Sequence, residues 1–101
     1  MTFSLSQKEI EQICRILKQF PQIEEGLIFG SRAMGNQKRG SDIDLAIKGK
    51  TDLSLAAKVK SRLEEDLPLP YFFDVIDYHS IGNPQLKEHI DRFGKVIYKR
   101  G

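Results

Sequence analysis

The sequence predicts an α/β (α+β) fold, helices mixed with a small β-sheet. Short apolar runs of strand length alternate with longer segments whose apolar residues recur at helical spacing. Glycine and proline punctuate the joins. The 101 residues are the size of one domain, 1–101, and 40% hydrophobic content suffices for a modest core.

Residues 6–19 are expected to form a helix. Ser6 is the N-cap and Glu9 completes a capping box. Ile10, Ile13, Cys14 and Leu17 recur along one face, and Pro21 closes the segment. Ile23 to Phe29 reads as a strand that Gly30 stops. The polar, glycine-containing stretch Ser31 to Ser41 follows, with a short helix expected to begin at Ser31. Asp42 to Lys48 is the second strand, and Gly49 to Asp52 a turn. Leu53 to Leu67 is a helix with Leu55, Val59 and Leu63 on one side, and Pro68 and Pro70 mark its exit. Tyr71 to Tyr78 is the third strand. Pro84 to Phe93 is a helix with proline in its first turn and Gly94 at its end, and Lys95 to Tyr98 is a last strand. Helices mixed with a small sheet imply a two-layer domain.

Composition narrows function by exclusion. Sixteen basic and fourteen acidic residues give a net charge of +2, too small to argue for direct nucleic-acid binding. Cys14 is the one cysteine, so no internal disulfide or cysteine-rich zinc site can form, and its place on the apolar stripe suits a buried hydrophobe. His79 and His89 lack zinc spacing and are read as structural or surface residues. No apolar stretch is long enough to span a membrane, and the N-terminus lacks the pattern of a signal peptide. A cytoplasmic location is the default expectation.

The chemistry is concentrated between Gly30 and Ile47. A Gly30-Ser31 turn ends one apolar run, and Ser41-Asp42-Ile43-Asp44-Leu45-Ala46-Ile47 opens the next. On a strand Asp42 and Asp44 project together while Ile43, Leu45 and Ile47 point the other way. Two adjacent carboxylates repel unless a cation lies between them. Carboxylate oxygens suit magnesium, which also takes substrate phosphates as ligands. The Gly-Ser turn offers backbone N–H groups and a hydroxyl, the donors a phosphate chain needs.

From Leu27 to Tyr78 this pattern resembles the nucleotidyltransferase superfamily that includes DNA polymerase beta. Its signature is a Gly-Ser turn, an Asp-x-Asp strand roughly ten residues on, and a third aspartate on a later strand. The first two parts are Gly30-Ser31 and Asp42-Ile43-Asp44. For the third, Asp74 and Asp77 are both at hand in Tyr71-Phe72-Phe73-Asp74-Val75-Ile76-Asp77-Tyr78. They face opposite ways on a regular strand, and both faces are partly apolar, so parity does not choose. The family pattern of apolar-Asp-apolar-apolar favours Asp74.

The resemblance implies the nucleotidyltransferase fold, a small mixed β-sheet backed by helices, with its active site on the open side of the sheet. It implies transfer of a nucleoside monophosphate, AMP from ATP or its counterpart from another nucleoside triphosphate, to an acceptor hydroxyl. Asp42, Asp44 and Asp74 would hold two magnesium ions, and Asp74 would also accept the acceptor's proton. Gly30 and Ser31 would position the β- and γ-phosphates. Arg32 is a further candidate for the nucleotide, whereas Gly35 and Gly40 shape the loop and Lys38 and Arg39 are read as solvated charge. The shortest members, which this chain resembles most, act with a helical protein of the HEPN class, as antitoxins that adenylylate a toxin. A chain of 101 residues leaves no room for the extra domain that cradles the base in larger members. A hetero-oligomer with such a partner, or a homo-oligomer, is therefore expected. Phe3, Tyr71 and Tyr98 are candidate interface aromatics. Two other readings stand beside this one: a catalytically weak subunit or antitoxin that acts by occluding its partner, and a phosphate-hydrolysing metal enzyme. A pure binding role would not require three aspartates, and a Gly-Ser turn holds a polyphosphate leaving group rather than activating water. The acidic run Glu64-Glu65-Asp66 opposes the dipole of its helix C-terminus and finds no role in the sequence, beyond a partner contact.

Overall fold

The computed structural model describes residues 5–29, 43–67 and 72–100. Among these residues the chain runs α1 (Gln7–Lys18), β1 (Ile23–Phe29), β2 (Ile43–Gly49), α2 (Leu53–Asp66), β3 (Phe73–Asp77), a 3-10 turn (Tyr78–Ser80), α3 (Pro84–Phe93) and β4 (Lys95–Lys99). This is the element order the sequence predicts.

Local signals set the helix starts. Ser6 Oγ accepts from Glu9 N–H at 3.1 Å and Glu9 Oε1 accepts from Ser6 N–H at 3.0 Å, completing the capping box of α1. Asp52 caps α2 by accepting from Leu55 N–H at 2.8 Å. Asn83 caps α3 ahead of Pro84. β3 is shorter than the predicted 71–78. Tyr71 lies outside the described residues. At the other end, Asp77 accepts from His79 N–H, and the chain turns out of the strand into Tyr78–Ser80.

The strands form one sheet in the order β3-β2-β1-β4. β1 pairs antiparallel with β2 and β4, while β2 and β3 run parallel, joined by the α2 crossover that parallel strands require. Ile28, Ile43, Leu45, Ile47, Phe73 and Val75 face α1 and α2. They pack on Ile13, Leu17, Leu55, Val59 and Leu63 in the main core. Gly26 permits the close approach of α1, because a Cβ there would stand 2.8 Å from Leu17 Cδ1. At the end of β2, Gly49 adopts φ 131°, a left-handed conformation that suits glycine.

The opposite face is not bare, and this corrects the two-layer expectation. Alternation along the strands sends Leu27, Phe29, Ala46 and Ile76 to that side. There they pack on Leu86 and Ile90 of α3. Among the described residues the domain is thus two helices, a sheet and one helix that covers part of the second face. No helix among the described residues is long and apolar enough to cross a membrane.

Candidate active site

The partly covered face carries the acidic residues. Phe29 of β1 is the register partner of Asp44 on β2, and Asp44 is the register partner of Asp74 on β3. The three form one row across the sheet. Neighbouring strands lie about 4.8 Å apart, so two carboxylates project side by side from that row. The next row, Leu27, Ala46 and Ile76, is the one that α3 covers through Ile90 and Leu86. Asp74 stays exposed and Asp44 is half-buried, while Ile43 and Leu45 on the far side are fully buried. The edge of α3 reaches the acidic row at one point. The ring of His89 stands edge-on to Phe29, with centroids 6.5 Å apart.

Gly30, Ser31, Arg32 and Asp42 lie outside the described residues, as does the short helix expected after Ser31. β1 ends at Phe29, the residue before Gly30, and β2 begins at Ile43, the residue after Asp42. The candidate phosphate and metal residues therefore flank the row of Phe29, Asp44 and Asp74 in the chain.

Asp77 occupies quite different surroundings. It is 2% exposed and sits beside the loop that leads into α2. Its carboxylate accepts from Thr51 Oγ1 at 2.5 Å, Ser80 Oγ at 2.6 Å and His79 N–H at 3.2 Å. Burial pushes its carboxyl up, yet these hydrogen bonds and the nearby His79 ring outweigh burial and hold it below the ordinary carboxylate value. Its oxygens are used in tying the strand end to the loop before α2. His79 continues that tie, since Gly49 N–H donates to its Nε2 at 3.3 Å. His79 is a structural residue here.

One contact near the acidic row is invisible in the sequence. Phe73 precedes Asp74, and its backbone groups point away from β2, because Phe72 O on the other side accepts from Ile43 N–H at 2.8 Å. Two residues of α2 take those outward groups. Lys60 Nζ donates to Phe73 O at 2.6 Å and to Glu64 Oε2 at 2.7 Å, and Glu64 Oε2 accepts from Phe73 N–H at 2.9 Å. Glu64 of the acidic run thus has a structural partner. Asp66 has another in Arg62, at 2.8 Å. The spacing Lys60 to Glu64 could have signalled the ion pair, but not its grip on β3.

The donor set suits a hard cation. Asp44 and Asp74 offer only oxygen, in register, from two rigid strands on an accessible face. No third His, Cys, Asp or Glu joins them in a cluster among the described residues; Asp42, two residues before Asp44, is outside those residues.

A family model described as "Polymerase beta, Nucleotidyltransferase" matches residues 11–101. No curated protein sequence matches significantly. Among solved structures, a toxin–antitoxin complex with AMP-PNP aligns with a TM-score of 0.75 and 24% identity over 90% of this chain and 73% of that chain. A tri-AMPylated HEPN toxin in complex with an MNT antitoxin, from Shewanella oneidensis, aligns at 0.72 and 20% identity over 95% and 74%. A Sulfolobus solfataricus protein described as a nucleotidyltransferase aligns at 0.53 and 25% identity over 92% and 77%. The fold is the nucleotidyltransferase fold, and the chain belongs to the polymerase beta nucleotidyltransferase family.

Proposed function

We propose that this protein is a magnesium-dependent nucleotidyltransferase that moves AMP from ATP onto a hydroxyl of a HEPN-type helical partner, as the antitoxin of a toxin–antitoxin pair. The observation that carries the chemistry is the register of Asp44 and Asp74 on the accessible face of a nucleotidyltransferase-family domain. Fold likeness to antitoxins crystallised with AMP-PNP, and with an AMPylated HEPN toxin, supports the nucleotide and the partner.

In this reading Asp42, Asp44 and Asp74 hold two magnesium ions. When bound, magnesium supplies neutralisation of phosphate charge and a lowered pKa for the acceptor hydroxyl. The chain's own residues do the rest. Gly30 and Ser31, with Arg32 beside them, bind the β- and γ-phosphates so that pyrophosphate faces away from the acceptor. The acceptor oxygen attacks the α-phosphorus, forming one P–O bond. The bond from the α-phosphorus to the bridging oxygen breaks, and its electron pair leaves with pyrophosphate. Asp74 takes the acceptor's proton as general base. No protein nucleophile intervenes.

A site open on a sheet face buries little of a nucleotide. A partner chain that walls the base therefore accounts for affinity, and free nucleotide binds weakly without it. The experiment is incubation of the chain with magnesium, α-labelled ATP and the co-purified partner or a lysate of its own cell. A labelled protein band is expected. Neutralisation of the partner without label transfer would favour the occlusion reading and overturn this one.

A further inference from the structure

We propose that Glu64, with Lys60, is a positioning residue of the active site. It locks the N-terminal end of β3 so that the carboxylate of Asp74 stands level with that of Asp44. The inference rests on the reading of Asp74 as a metal ligand and proton acceptor.

Among the described residues β3 is an edge strand, paired with β2 alone. The strand's first paired residues are Phe73 against Ile43 and Asp74 against Asp44. A strand end held on one side alone frays, and at an edge its outward N–H and C=O groups are left to water. At Phe73 both outward groups are instead taken by side chains of one helix turn, Glu64 accepting the N–H and Lys60 donating to the C=O. The strand is thereby held on both edges here, at Phe72 by Ile43 of β2 and at Phe73 by α2, and the ring of Phe73 is 1% exposed in the core. Asp74 follows directly, so loosening this grip loosens the strand end that carries it.

Ordinary surface ion pairs explain less. Arg62 and Asp66 form the same i,i+4 pair on the same helix, and no bond from either to β3 is seen among the described residues. Glu64 differs because its Oε2 is shared between a cation and a backbone N–H. The hydrogen bond from Lys60 and that from Phe73 hold its carboxyl below the ordinary value, so the anion that makes the grip persists into mild acid. Groups that orient a ligand are worth about 10–100-fold in metal affinity when removed, even though they touch no metal.

The test compares Glu64→Ala, Glu64→Gln, Arg62→Ala and Asp74→Asn in the full chain, each checked for folding by circular dichroism. One readout is hydrogen exchange at the Phe73 and Asp74 amides, which needs no metal. The other is Mn2+ affinity by electron paramagnetic resonance, with Mn2+ alone as the probe. Glu64→Ala is expected to speed exchange at both amides and to weaken Mn2+ binding about 10-fold. Glu64→Gln keeps an acceptor for Phe73 N–H and is expected to recover most of both. Arg62→Ala is expected to leave both unchanged. Wild-type Mn2+ affinity in Glu64→Ala, alongside a loss in Asp74→Asn, would overturn the positioning role and spare the site. Unchanged affinity in Asp74→Asn would show that the site reading itself fails, and the positioning role with it.

Discussion

The two ends of β3 place the same side chain in opposite surroundings. At its start Asp74 is exposed and level with Asp44 across a parallel strand pair. At its end, three residues on, Asp77 is 2% exposed and accepts three hydrogen bonds. A buried carboxylate is tolerated when its lone pairs are occupied, and occupied lone pairs are unavailable to a metal or a proton. An exposed carboxylate beside another one is mildly repelled, and that repulsion is what a cation relieves. The difference between the two aspartates is therefore a difference in who holds the oxygens.

The largest expected effect falls at the exposed end. Asp44→Asn and Asp74→Asn should each lower nucleotidyl transfer at least about a hundredfold, because each removes a charge proposed to bind magnesium and, at Asp74, the proton acceptor. The folded state should persist, since neither side chain belongs to the core. Single-turnover transfer from labelled ATP measures it. An active Asp44→Asn enzyme would remove the catalytic reading of the whole row.

Asp77 should show the reverse pattern, a stability loss first. Asp77→Ala leaves the Thr51 and Ser80 hydroxyls and the His79 N–H without their acceptor. The expected cost is about 2–3 kcal/mol. In a domain of this size that lowers Tm by roughly 10–20 °C. Calorimetry checks it. A drop in transfer well below the folding transition, with Mn2+ binding lost, would instead put Asp77 in the site.

Acid should separate the two ends further. The folded-state carboxyl of Asp77 lies below its ordinary value. Its contribution to stability is therefore fully present above the unfolded pKa of about 3.9, and it disappears as pH falls through the lower folded value. The stability gap between wild type and Asp77→Asn should be wide at neutral pH and shrink below about pH 4. Urea unfolding across that range reads the gap. A constant gap would mean that the hydrogen bonds, not the charge, account for the whole contribution.

These contrasts also mark what the chain makes legible. The capping box at Ser6 and Glu9, the proline start at Pro84 and the apolar alternation Ile43, Leu45 and Ile47 are local patterns, and each appears in the structure as the sequence predicts. The choice between Asp74 and Asp77 is not local. Both faces of β3 read as partly apolar because both are packed. Phe73 and Val75 meet the main core, and Ile76 meets the α3 cluster. Burial and register distinguish the two aspartates, and both depend on strands and helices distant in sequence. The family pattern favoured Asp74 without that information. The grip of Lys60 and Glu64 on Phe73 is likewise a contact between elements, which no spacing within α2 encodes. Gly30, Ser31, Arg32 and Asp42 rest on the motif alone, since they lie outside the described residues.

The smallest effect is the one most specific to the comparison. Replacing Asp74 by asparagine removes a charge that faces Asp44 across the strand pair. Like charges at neighbouring positions cost a few tenths of a kcal/mol at low salt. Asp74→Asn should therefore leave stability unchanged or raise it by about 0.5 kcal/mol when no divalent cation is present, as removal of functional charge often does. Magnesium should then reverse the order. The wild type gains stability as RT ln(1 + [Mg]/Kd), whereas the variant, with one ligand lost, gains little. Two melting curves for each protein, with chelator and with millimolar magnesium, give the answer. A crossing of the two proteins means that the same pair of carboxylates destabilises the empty fold and binds the metal. Parallel shifts would mean that magnesium binds elsewhere, and the exposed end of β3 would then differ from the buried end in solvent access alone.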